Sequence, residues 1–108
     1  MQTEKGKKVE EYNALRDCVE NVDGSVDRLN QSVKELGLLG KSEGKDFQWH
    51  LSNIQTWVSA AITGQQTCLD GLEERNLGAN FKAAIKPRVQ DASKLTSNAL
   101  ALVNRLAK

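Results

Sequence analysis

The sequence predicts an all-α protein: three long helices in up-down order, packed as an antiparallel bundle. Three observations carry that expectation. Apolar residues recur at alternating spacings of three and four along most of the chain. Two glycine-bearing breaks, around residues 37–45 and 76–78, divide this pattern into three stretches. One proline and five aromatic residues in 108 leave little of the punctuation that a protein of many short strands requires.

Residues 1–8 are polar, with three lysines and a glycine, and read as a disordered lead to a single domain over 9–108. This start has no apolar segment of the kind that a secretory signal needs. The first helix is expected over about 8–36. Tyr12, Leu15, Val19, Val22, Val26, Leu29, Val33 and Leu36 form one heptad-like row, with charges such as Glu11, Arg16, Glu20, Asp27 and Lys34 off it. Gly24 interrupts the row's helix at a cost of about 1 kcal/mol relative to alanine. Gly37 is the expected stop, because glycine accepts a left-handed C-terminal cap.

The loop Gly37–Lys45 leads to Asp46, whose carboxylate is placed to cap the second helix. There the row is Phe47, Leu51, Ile54, Val58, Ala61, Gln65, Cys68 and Leu72, ending near Arg75. The third row is Phe81, Ile85, Val89, Ala92, Leu95, Ala99, Leu102 and Leu106. Pro87 falls within it and either kinks that helix or starts a new one, since it lacks a backbone donor. Heptads also fit a coiled coil, but glycine-punctuated loops favour an intramolecular bundle.

Fifteen Lys and Arg against fourteen Asp and Glu give a near-neutral chain, with no basic excess for nucleic acid and no apolar run to span a bilayer. Cys18 and Cys68 each lie 25 residues from Glu43, the middle of the first loop. In an antiparallel hairpin they therefore sit at one height, and Gly64 and Gly71 beside Cys68 allow close approach. A disulfide is the expectation, and two buried free thiols are the alternative.

Catalytic and metal chemistry find little to build on, and neither a cofactor nor a metal is expected. His50 is the only histidine and has no sequence neighbour at ligand spacing. Ser59 lies in a run of small residues without a strand-turn-helix elbow. Glu10-Glu11 and Glu73-Glu74 read as solvated helix faces, and Trp49 and Trp57 as packing residues. Asn30-Gln-Ser32 forms a glycosylation sequon in mid-helix. The pattern points away from an enzyme.

Three ordered segments resemble one family. The run Thr56-Trp-Val-Ser-Ala-Ala-Ile-Thr-Gly-Gln-Gln-Thr-Cys-Leu-Asp-Gly-Leu-Glu73 is similar to the signature helix of the plant pectin methylesterase inhibitor and invertase inhibitor superfamily. Leu15-Arg-Asp-Cys-Val-Glu20, with Val26-Asp-Arg-Leu29, resembles an earlier helix of that family, and Leu95–Val103 its closing helix. The resemblance implies a secreted cell-wall protein that inhibits plant pectin methylesterase without covalent chemistry, its bundle packed over the enzyme's substrate cleft. It also implies a disulfide between Cys18 and Cys68. It places Thr63 on the partner-binding face, with Gln66 and Asp70 as additions nearby. The loop 37–47 has no proline and so lacks the Asp-Pro-Lys-Phe motif of invertase inhibitors, which favours the esterase branch, including the inhibitor-like pro-regions fused ahead of such esterases. The family's leading helical hairpin and first bundle helix have no counterpart here. A helical oligomerisation or scaffolding module that has lost inhibition is the competing expectation. With one helix of a four-helix family absent, a groove between Val22, Val26, Leu29 and Val33 and Leu95, Leu102 and Leu106 is expected, and with it a possible homodimer.

Overall fold

A computed structural model describes residues 4–75 and 77–106 of the chain. Three helices account for nearly all of them: α1 Glu4–Leu39, α2 Gly44–Glu74 and α3 Ala79–Leu106. The result is a rod of 61 × 18 × 16 Å, its length set by the 36 residues of α1 at about 1.5 Å each. Helix α2 is the shared element: α1 and α3 each pack along it and meet one another only weakly.

The helix limits depart from the expected ones in four places. Helix α1 starts at Glu4, so it takes in residues 4–8 that the sequence assigns to a disordered lead; residues 1–3 lie outside the described ones. It also runs through Gly37 to Leu39, because Leu39 is buried in the core and holds the last turn down. Gly40, Lys41 and Ser42 close that end by donating to the carbonyls of Leu36, Leu38 and Leu39. Asp46 does not cap α2. Glu43 takes the N-cap place with no side-chain bond, and Asp46 sits in the first turn, where its charge favours the helix dipole. Among the described residues the one positive φ is at Gly44, which turns the chain into α2. At Pro87, where the sequence allows either a kink or a new start, no new helix begins and α3 runs on, since Pro87 and Ala83, whose carbonyl loses its donor, are both exposed to water.

The row expected on α2 is its buried face, and Leu51, Ile54, Val58, Ala61, Gln65, Cys68 and Leu72 are all enclosed. Two apolar clusters result. One joins Ala14, Cys18, Cys68, Leu72 and Leu77 to Phe81, Ile85 and Val89; the other joins Leu39, Leu51, Ile54, Val58 and Val103 to Leu29, Phe47 and Leu100. Between them lies a polar layer. Ser25 Oγ donates to the Ala61 carbonyl at 2.8 Å, and Gln65 Nε2 donates to Thr96 Oγ1 at 3.1 Å.

Helix α1 overturns a simple reading of its heptad row. Its face toward α2 is Ala14, Cys18, Ser25, Ser32, Glu35 and Leu39, all but Leu39 small or polar, at steps of four, seven, seven, three and four. The apolar row lies roughly a quarter-turn away, and Tyr12, Leu15, Val19, Val26, Val33 and Leu36 are exposed. The reason is distance. Small side chains let α1 press close to α2, and a Cβ at Gly64 would stand 2.6 Å from Ser25 Oγ and 2.9 Å from the Asn21 carbonyl oxygen. Large residues on that face would hold the helices apart.

Candidate functional site: the outer ridge of α2

Close approach is what permits the disulfide. Cys18 and Cys68 are joined, with their Cα atoms 4.5 Å apart, well inside the usual 8–10 Å between helix axes. The bridge closes a 50-residue separation, and in the chain-entropy account such a loop contributes about 4 kcal/mol. It also fixes α1 against the half of α2 that carries the sequence-predicted partner-binding residues.

Those residues come together on one ridge. Thr63, Gln66 and Asp70, at helical spacings of three and four, lie on the exposed side of α2, with Thr67 beside them. Thr63 Oγ1 donates to the Ser59 carbonyl at 3.1 Å and Thr67 Oγ1 to the Thr63 carbonyl at 2.8 Å, both within α2. Gln66 Nε2 donates to Asp70 Oδ1 at 2.9 Å. These local bonds hold the side chains against their own helix and leave acceptors facing outward.

A cleft runs along each side of the ridge. Thr63 borders the one shared with α1, where Glu20, Gly24 and Arg28 form the far wall. Gln66 and Asp70 border the one shared with α3, opposite Lys86, Gln90 and Lys94. Glu73 closes this second cleft by pairing with Lys86, and the ammonium group holds its carboxyl below the usual carboxylate range. Arg75 pairs with Asp17 across the α1 side of the same end. The ridge therefore has threonine hydroxyls at one end and carboxylates at the other, flanked by paired charges.

Two features escaped the sequence pattern. Glu35 is buried on α1 and accepts from His50 Nδ1 at 2.5 Å and Asn53 Nδ2 at 3.1 Å, so the lone histidine does have a carboxylate partner, supplied by another helix. The bond from His50 is the main cause that lowers the Glu35 carboxyl below its ordinary 4.5. Gly71, expected to help the close approach, has open space where a side chain would go. Among the described residues no cluster of three His, Cys, Asp or Glu could hold a metal ion, and no helix is long and apolar enough to cross a membrane.

Comparison with known proteins adds a family to this geometry. The profile of the plant invertase/pectin methylesterase inhibitor family matches residues 1–102. Pectinesterase inhibitor 9 of Arabidopsis thaliana is 52% identical over 99 residues, covering 91% of this chain and 48% of that protein. A 21 kDa protein of Daucus carota is 42% identical over 103 residues, 95% of this chain and 53% of its own. Pectinesterase inhibitor 11 of Arabidopsis thaliana is 42% identical over 102 residues, 94% of this chain and 50% of its own. The chain thus spans about half the length of these relatives. No solved structure matches it significantly.

Proposed function

Since the chain belongs to the plant invertase/pectin methylesterase inhibitor family, we propose that it binds a plant pectinesterase and inhibits it without covalent chemistry. The observation that carries this is the 52% identity to a pectinesterase inhibitor across nine-tenths of the chain. The outer ridge of α2 is a fitting docking element. It is rigid, tied to α1 by a disulfide, and presents Thr63, Gln66 and Asp70 beside two shallow clefts. A helical ridge laid over an enzyme's substrate cleft inhibits by exclusion, with pectin kept out by the bulk of the bundle. In this role the protein acts on an enzyme and is not one, and the plant cell wall, where pectin lies, is its place of action.

The three ridge residues have distinct parts in this reading. Thr63 is the contact nearest α1, where its methyl and hydroxyl meet the enzyme at short range. Gln66 and Asp70 form a hydrogen-bonded pair whose outward acceptors take donors from the enzyme. Nothing in residues 37–47, where α1 passes into α2, favours the invertase reading, since they lack the proline motif.

The test is residual activity of purified plant pectinesterase titrated with the chain at mildly acidic pH. A stoichiometric fall in activity is expected. Thr63→Arg should weaken inhibition at least tenfold, because a buried unpaired charge at an interface costs several kcal/mol. Its thermal midpoint should not change, as Thr63 is exposed. Full esterase activity at saturating protein, with no binding heat, would overturn the proposal.

A further inference from the structure

The sequon Asn30-Gln-Ser32 has no part in the inhibitor reading, and the fold treats its two essential residues in opposite ways. Asn30 is exposed, and its side chain makes no hydrogen bond. Its helical neighbours three residues before, four after and seven before are Asp27, Lys34 and Asp23, all exposed, so it stands in a charged strip that belongs in water. Ser32 is 4% exposed on the face toward α2, and its Oγ donates to the Arg28 carbonyl at 2.9 Å. The other asparagines differ. The chain has eight, and only Asn30 has Ser or Thr two places on. Asn21 and Asn53 are half-buried, and their amide nitrogens are committed to the Asp17 carbonyl and the Glu35 carboxylate.

We propose that Asn30 accepts an N-linked oligosaccharide, and does so only before α1 docks on α2. The donor is an oligosaccharide joined through its anomeric carbon to a lipid diphosphate. A bond forms between Asn30 Nδ2 and that carbon as the carbon–oxygen bond to the diphosphate breaks. The diphosphate leaves with the electron pair and, in the balance, takes the proton that the amide nitrogen gives up.

The order of events follows from Ser32. A sequon is read through its asparagine amide and its hydroxyl together. In an extended chain, residues two apart lie on one side, so an enzyme meets both at once. In α1 they stand about 200° apart around the helix, and the hydroxyl is already bonded within the seam against α2. Folding therefore closes the sequon, and the Cys18–Cys68 bond, which fixes α1 to α2, keeps it closed. A glycan attached beforehand does not oppose folding, because Asn30 remains in the charged strip. Nor does it cover the ridge. Arg28, on the far wall of the Thr63 cleft, is two residues from Asn30 and so about 200° away around α1. The proposal rests on the cell-wall reading, whose route carries the chain past the transferase, and needs no inhibition.

The chain, expressed behind a secretory leader in plant cells, tests it. Peptide N-glycosidase leaves aspartate where a glycan was attached, and peptide mass reads that change at Asn30. The wild type should carry glycan on part of its chains and the Cys18→Ser, Cys68→Ser variant on a larger part. Asn30→Gln and Ser32→Ala should carry none. The purified, folded, unglycosylated chain should accept nothing from detergent-solubilised microsomal transferase that modifies an Asn-Xaa-Thr peptide in the same mixture. Asn30 unmodified in both the wild type and the cysteine-free variant overturns the proposal, and so does ready transfer to the folded chain. Pectinesterase titration of the glycosylated chain and of Asn30→Gln runs alongside. Equal inhibition is expected, and inhibition by neither strikes the inhibitor reading alone.

Discussion

Gly64 and Gly71 offer a paired test of how the bundle is held together. Both lie in α2 around Cys68, yet the structure assigns them opposite responses to alanine. At Gly71 a Cβ meets nothing within 4 Å, so Gly71→Ala gains only helix propensity, about 1 kcal/mol. At Gly64 the new carbon would stand 2.6 Å from Ser25 Oγ and 2.9 Å from the Asn21 carbonyl oxygen. The hydroxyl can swing away, but it then loses its 2.8 Å bond to the Ala61 carbonyl in a buried layer, worth about 1 kcal/mol. The carbonyl cannot swing, so α1 must move out, and overpacking of this kind costs about 1–3 kcal/mol. Against the same propensity gain, the net loss at Gly64 is about 1–3 kcal/mol, and the two variants should differ by about 2–4 kcal/mol. At roughly 4–8 °C per kcal/mol for a domain of this size, thermal unfolding followed by circular dichroism resolves that gap easily. Both proteins are compared at one concentration with the disulfide intact. Gly64→Ala melting at or above the wild type would refute the close approach as the organising contact between α1 and α2.

Two further outcomes follow from the same contacts. The Cys18→Ser, Cys68→Ser variant should lose about 4 kcal/mol in urea unfolding, the loop-closure value for this separation, and the unreduced wild type should show no titratable thiol. A loss under 1 kcal/mol would place the two helices' attachment elsewhere. Glu35 gives a pH dependence whose sign is set by its lowered carboxyl: the stability it contributes is fully present above about 4.5 and is lost as pH falls through the lower folded value. Glu35→Gln should therefore melt below the wild type near neutral pH and converge with it in strong acid, and parallel curves over the whole range would count against the His50–Glu35 contact.

How far the chain can be read from its sequence depends on which contacts the residue pattern records. Helix α2 touches a neighbour on each side, so its apolar row and its buried row coincide, and residues 47–72 were legible throughout. The disulfide was legible because antiparallel hairpins convert distance from the turn into height, and Cys18 and Cys68 are equidistant. The ridge residues were reached by resemblance alone, since exposed Thr63, Gln66 and Asp70 carry no periodic signal. Helix α1 is where periodicity misleads. A heptad row announces that large apolar side chains share a face, and says nothing of which neighbour that face meets. The contact with α2 is recorded in Ala14, Cys18, Ser25 and Ser32, residues whose smallness a hydrophobic count ignores. Glu35 was missed for the same reason, as its partner His50 is fifteen residues away on another helix. The conflict between the two α1 faces is itself informative. Contact with α2 alone does not account for the six exposed apolar positions Tyr12, Leu15, Val19, Val26, Val33 and Leu36 kept in register on the other side. The row therefore records a packing face distinct from the one that meets α2.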